Sequence, residues 1–369
     1  MSYLLKEIYS PSFYGSFSDV VKEVYPSFDS KNFIQQIFDI NWKNRELKER
    51  MKHTSSALNK FFPDDFSEAA ELITTVIHQL RKKGIKEQTI EFMFFPDYIE
   101  TYGINHFDIS VKTIEQLTQF TSCEFAVRPF ILQYGDKMIK QMLQWSQHKS
   151  HHVRRLASEG SRPRLPWAIA LPELKKNPLP LLPILENLKQ DNSEYVRRSV
   201  ANNLNDIAKD NPAIVIQIAK KWKGISKETD AIIKHGCRTL LKKGHPEILK
   251  YYKLNDKADI GISGFKIKNN KVKIGDYLNF SFSLQNMEHI KQNLRLEYAI
   301  YYLLQNGAHY KKVFKISERQ LKPGEKLSVE KRHSFKIITT RKYYPGLHKL
   351  SVIVNGQELK TGKFELKKK

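Results

Sequence analysis

The chain has 369 residues, of which 62 are Lys or Arg and 39 are Asp or Glu, giving a formal net charge of +23. Its 40% hydrophobic and 11% aromatic content suits folded domains with cores of their own and excludes an intrinsically disordered chain. No apolar run reaches the length of a membrane span, and two cysteines are too few for a disulfide framework, so a reduced cytoplasm is expected. Lys6 and Glu7 interrupt the opening apolar residues, which argues against a signal peptide. In that compartment the Asn279-Phe280-Ser281 sequon is idle. The basic excess is uneven: residues 257–369 hold 24 Lys+Arg and 9 Asp+Glu, net +15, and residues 1–256 hold 38 and 30, net +8. Such an excess favours a polyanionic partner, because basic side chains release counterions from phosphates.

From about residue 15 to 253 apolar residues recur at three- and four-residue spacing, which predicts helices. The clearest are 31–39, 45–61, 66–80, 124–133, 137–146, 181–188, 191–208 and 213–222. Short breaks such as Asn177-Pro178 and Asp210-Asn211-Pro212 separate them. A degenerate repeat runs through this region. Cys123–Arg128 aligns with Ser150–Arg155, Ser193–Arg198 and, more weakly, Thr229–Lys234, at offsets of 27, 43 and 36 residues. Such offsets fit helical-pair repeats of the HEAT kind. Repeat-equivalent positions then carry Arg128, Arg155, Arg198 and Lys234, a cationic ladder along one face, or else four solvated surface positions.

Within this region the segment Arg154–Trp167 groups Arg154, Arg155, Arg162 and Arg164 around Glu159 and ends in Pro166-Trp167. Four cations suit a polyanion, a carboxylate can face developing positive charge, and an indole can stack on a base or a cation. Residues four apart share a helix face. Glu124 lies four before Arg128, Glu159 four after Arg155 and Asp206 eight after Arg198, so all three carboxylates are expected near the ladder face. The repeat positions matching Glu159 are Leu132 and Asn202, which makes the carboxylate a local departure of the kind found at functional sites. An i,i+4 ion pair on a wet helix is the bland alternative.

After about residue 257 the pattern turns to alternation, as in 265–268, 278–284, 294–298 and 350–354, with turn signals at Asn269-Asn270, Asn306-Gly307, Pro323-Gly324 and Asn355-Gly356. About seven strands in such a length suggest an immunoglobulin-like sandwich. The expected architecture is an all-α HEAT-like repeat solenoid over residues 1–255, followed by a small all-β immunoglobulin-like sandwich over 256–369. The solenoid would be catalytic and the basic sandwich would add contacts to DNA.

CEFAVRPF with Glu124, HVRRLASEGSRPRLPW, and the NNLND stretch ending in Asp206 resemble the AlkC family of bacterial DNA alkylation-repair glycosylases, within the HEAT-like AlkC/AlkD superfamily. Residues 56–58 and FPDYIETYG (95–103) resemble it too. The resemblance covers about residues 1–255, and many members carry an immunoglobulin-like C-terminal domain. It implies active-site roles for Glu124, Glu159, Trp167 and Asp206, supported by Arg155 and Arg162. It also implies hydrolysis of the N-glycosidic bond of cationic alkylated purines, chiefly 3-methyladenine, in double-stranded DNA. A methylated adenine already carries positive charge and leaves without a strong general acid. What remains is to stabilise oxocarbenium character at the sugar and to place a water.

On this reading Glu159 and Asp206 supply the opposing charge or orient water, Glu124 shapes the site, and Trp167 favours charged bases. Arg128, Arg155, Arg162, Arg164, Arg198 and Lys234 contact DNA. No metal or cofactor signature is present and no lysine is singled out for a Schiff base, so a monofunctional, monomeric glycosylase of the bacterial cytoplasm is expected. The rival is a non-catalytic HEAT-repeat module that binds nucleic acid or an acidic protein. It leaves three carboxylates on a basic face without a purpose. For a third reading, an RNA-processing enzyme, the sequence lacks the paired metal-binding acids common in nucleases.

Overall fold

The computed structural model describes residues 4–87, 89–338 and 341–368. The chain divides into two compact units, residues 1–215 with 222–236, and residues 216–221 with 237–369. In the first unit the helices start where the sequence supplies caps. Ser10 accepts from Phe13 N at 3.2 Å and Pro11 opens the helix Pro11–Val24. Asp29 caps Ser30–Ile37 and Asp65 caps Phe66–Lys82, each side chain satisfying a first-turn N–H. Their apolar faces meet in an aromatic core of Tyr14, Phe17, Phe28, Phe33, Phe94 and Phe95, all essentially buried.

The later helices of this unit pack in sequence-distant pairs. Helix Glu194–Asp210 lies between His151–Gly160 and Lys227–Gly236. Gly160 lets the end of its helix close on the helix Val127–Tyr134: a Cβ at this position would lie 2.4 Å from Val127 Cγ2. Helical repeats of this kind stack so that each buries its neighbour's apolar face.

The second unit holds the short helices Arg238–Lys242 and Pro246–Tyr251 together with eight strands among the described residues: β1 (Ile260–Ile267), β2 (Lys271–Lys273), β3 (Tyr277–Asn286), β4 (Gln292–Leu303), β5 (His309–Leu321), β6 (Lys326–Ser334), β7 (Gly346–Val354) and β8 (Gln357–Lys367). One sheet has the order β1-β3-β6 and the other β2-β8-β7-β4-β5. All pairings are antiparallel except β2 with β8. Inward residues of both sheets, among them Leu278, Phe280, Phe282, Ile300, Leu350 and Val352, build one core. The β7–β8 turn carries Asn355 and Gly356 at φ 47° and 84°, the left-handed pair that a two-residue hairpin demands. Asn355 also donates to Asn255 O at 2.8 Å, and Asn293 to Lys253 O at 3.3 Å. The hydrophobic period changes near residue 257, whereas compactness groups the two preceding helices with the strands.

Candidate functional site

Helix His151–Gly160 ends one residue after Glu159. The chain then leaves through a loop, and two hydrogen bonds fix that exit. Ser161 Oγ donates to Ala157 O at 2.7 Å, and Asn203 Nδ2 donates to Ser158 O at 2.8 Å. Asn203 lies one turn before Asp206 on helix Glu194–Asp210, so a single helix face grips the exit and presents the carboxylate.

Arg162, the second residue of the loop, spans the gap. Its Nη1 donates to Glu159 Oε1 at 2.5 Å and its Nε to Asp206 Oδ2 at 2.8 Å. Lys209 Nζ donates to the other oxygen, Asp206 Oδ1, at 2.8 Å. Glu124 is held by Arg155 through a fork of 3.1 and 3.3 Å. The same guanidinium donates to Ser122 Oγ at 2.8 Å, stands 3.9 Å from Glu159 Oε1, and lies 4.6 Å over the Tyr195 ring. Burial pulls the Arg155 and Arg162 guanidinium pKa values down, but the facing carboxylates outweigh it and leave both raised. The Asp206 side chain is 1% exposed and that of Glu159 8%. Charges so deep persist only when paired and hydrogen-bonded. The arrangement therefore places carboxylates, each paired with a cation, where water is largely excluded and where electrostatic interactions act strongly.

Trp167 stands apart in burial: it is 72% exposed and sits at φ 65°. For a bulky side chain that backbone region is an outlier, maintained only by surrounding contacts. Its carbonyl accepts from Lys48 Nζ, and the Lys48 ammonium lies 4.7 Å over the ring of Phe125, the neighbour of Glu124. The loop bearing Trp167 is thus tied to the segment bearing Glu124.

The four ladder positions diverge. Arg128 does not face solvent, which corrects the expectation that it contacts DNA: it is 0% exposed and its guanidinium is engaged by backbone carbonyls. Residues 124–126 form a turn before helix Val127–Tyr134, whereas the helix His151–Gly160 starts right after Ser150. Position 128 consequently falls in the first helical turn, and its pairing with Glu124 is replaced by Arg155 with Glu124. Arg155 is mostly buried in the carboxylate chain. Arg198 is 71% exposed, 4.0 Å from Glu194, and lines a cavity of about 380 Å³ with Arg197, Lys227 and His235. Lys234 is exposed. Arg164 is half-exposed and forks onto Asp210 at 2.7 and 2.6 Å. So Glu124, Arg155, Glu159, Arg162 and Asp206 come together, while Arg164, Arg198 and Lys234 lie outside that chain of contacts.

Sequence reasoning missed Lys209, although its i+3 spacing from Asp206 was a usable signal, and Tyr195, which repeat alignment places three before Arg198. It gave no role to Asp97 and Glu100 within FPDYIETYG. Both stand on the helix Phe94–Tyr102, and burial raises both. Glu100 is pushed up to about 7 by burial and by Asp97, against the opposing Lys52 and Lys48. No helix among the described residues is long and apolar enough to cross a membrane.

Residues 30–240 match the family described as DNA alkylation repair enzyme, and residues 261–368 match the C-terminal Ig-like domain of the uncharacterised protein YhaZ. The chain is 43% identical over 354 residues to the uncharacterized protein YhaZ of Bacillus subtilis (strain 168), covering 96% of each. Among solved structures it is similar to the alkylpurine DNA glycosylase AlkC of Pseudomonas fluorescens bound to DNA containing an abasic site analog. That match has a TM-score of 0.91 and 34% identity, and it covers 99% of this chain and 100% of the other.

Proposed function

The chain belongs to the DNA alkylation repair enzyme family, and on that premise we propose that it is a monofunctional DNA glycosylase that excises cationic alkylated purines, chiefly 3-methyladenine, from duplex DNA. The observation that carries this reading is the buried chain Glu159–Arg162–Asp206 beneath a loop that exposes Trp167. A module built only to bind a polyanion gains nothing from burying carboxylates beside its basic face.

In the proposed reaction the bond between C1′ and the base nitrogen breaks with its electron pair going to the purine, which cancels the lesion's positive charge. The sugar acquires oxocarbenium character, a water forms the new C1′–O bond, and its proton passes to a carboxylate. Glu159 and Asp206 supply the opposing charge in a partly dry site and orient that water. Counting Glu124, three carboxylates face Arg155, Arg162 and Lys209, so the negative charge is local and the surroundings remain compatible with phosphates. Trp167 offers its electron-rich face to a cationic base, worth about 0.5–2 kcal/mol. Arg198 and Lys234 are placed to meet the backbone, and Arg164 can do so only by giving up Asp210.

The test compares release of free 3-methyladenine with release of neutral hypoxanthine from otherwise identical duplexes. Preferential release of the cationic base is expected. DNA binding without release of any alkylated base would instead identify a binding module.

A further inference from the structure

Arg128 has no route to a phosphate, yet a fully buried guanidinium demands a reason. Its Nε donates to Ile169 O at 2.6 Å, and its Nη1 donates to Gly160 O at 2.9 Å and Arg162 O at 2.7 Å. All three carbonyls belong to one stretch of chain. Gly160 follows Glu159, Arg162 joins Glu159 to Asp206, and Ile169 lies two residues after Trp167. The stretch has little order of its own: Pro163 and Pro166 bring no N–H, and its internal backbone bonds are long, Ala168 N to Leu165 O at 3.4 Å and Leu171 N to Pro163 O at 3.3 Å.

Such carbonyls need donors from elsewhere, and a guanidinium offers five in a rigid fork. Close approach is possible because residue 160 is glycine: a Cβ there would lie 2.4 Å from Val127 Cγ2. Burial, with Arg162 nearby, lowers the pKa of Arg128 to about 10, so the group remains a cation at neutral pH. From the outer side Lys48 donates to Trp167 O, although Lys48 occupies the first turn of the helix Leu47–Leu58, where the helix dipole disfavours a cation.

We propose that Arg128 is a positioning residue for base excision. Its fork pins residues 160–169 from beneath, Lys48 latches the same segment from outside, and together they hold Trp167 in register with the Glu159–Arg162–Asp206 chain. The inference rests on the roles given above to those residues. It places Arg128 in the reaction without contact to DNA.

The experiment uses the full chain carrying Arg128→Lys, Arg128→Gln or Lys48→Met, with three readouts. Amide hydrogen exchange of residues 160–171, measured without DNA, should speed up by about tenfold or more while neighbouring helices keep their protection. Single-turnover release of 3-methyladenine should fall on the order of 10- to 100-fold, because a misplaced group costs rate and not affinity. The salt dependence of DNA binding should keep the wild-type slope in Arg128→Gln, whereas loss of a phosphate contact lowers that slope by about one. Wild-type exchange in the loop, or a reduced salt slope, overturns the inference. If both Arg128 variants fail to fold, the surface change Lys48→Met carries the exchange and rate measurements by the same criteria. If the wild-type chain releases no base, the glycosylase reading fails and hydrogen exchange alone decides the clamp.

Discussion

In the helical unit Arg162 lies between Glu159 and Asp206; in the sandwich Arg295 on β4 lies between Glu297 on its own strand, at 2.8 Å, and Glu318 on β5, at 2.9 Å. Both are buried arginines with two carboxylates, and their surroundings differ. In the sandwich Glu297 Oε2 and Arg295 Nε make no hydrogen bond among the described residues, and burial raises the Glu297 carboxyl against the pull of Arg295. In the helical unit each Asp206 oxygen has its own cation, and a second arginine, Arg155, stands beside Glu159. The sandwich cluster lies on β4 and the edge strand β5 and ties those two strands together. The helical cluster sits at a helix end, where the chain turns out to expose an indole. A buried ion pair alone therefore marks no site. What distinguishes the first cluster is how fully its charges are satisfied and its place at the root of an exposed loop.

Removing each arginine in turn should separate the two clusters most strongly. Arg162→Met leaves two buried carboxylates without their shared cation and should cost about 3–5 kcal/mol in denaturant unfolding. Arg295→Met should destabilise the sandwich by a similar order. Under conditions where both remain folded, only the first should lose base release. Equal loss in both would mean that the helical cluster is structural.

A smaller effect concerns Glu100. Its carboxyl is raised from 4.5 to about 7, so between those values the folded chain holds a proton that the unfolded chain has released. The contribution of Glu100 to stability is fully present below pH 4.5 and is lost as pH rises through about 7. Glu100→Gln should flatten this part of a stability-versus-pH curve, and an unchanged curve would remove Glu100 as its cause. The smallest change expected is in Arg198→Ala. DNA affinity should drop with the salt slope reduced by about one, while single-turnover release from bound DNA stays at the wild-type rate.

The helical period, the Pro and Asn breaks and the alternation after residue 257 made both architectures legible, because local burial patterns dictate them. Strand β2 was not legible: three residues, Lys271–Lys273, are too short to show alternation, and they pair in parallel with β8. Within the site, Glu159 with Arg155 and Arg162 could be read from helical spacing. The link from Arg162 to Asp206 spans 44 residues and was legible only as a shared face between repeats. That same repeat misplaced Arg128, since alignment of letters does not record where a helix begins. Lys48 meets Trp167 across 119 residues, and no local pattern encodes such a contact.

Glu159, on this proposal, takes part in chemistry and not in holding DNA. The direct test measures duplex affinity and single-turnover release of 3-methyladenine on the same preparations of wild type and Glu159→Gln. Unchanged or tighter binding is expected, with release slowed on the order of 100- to 1,000-fold, the usual consequence of losing a preorganised electrostatic group. Release at the wild-type rate by a folded, DNA-binding Glu159→Gln chain would contradict it.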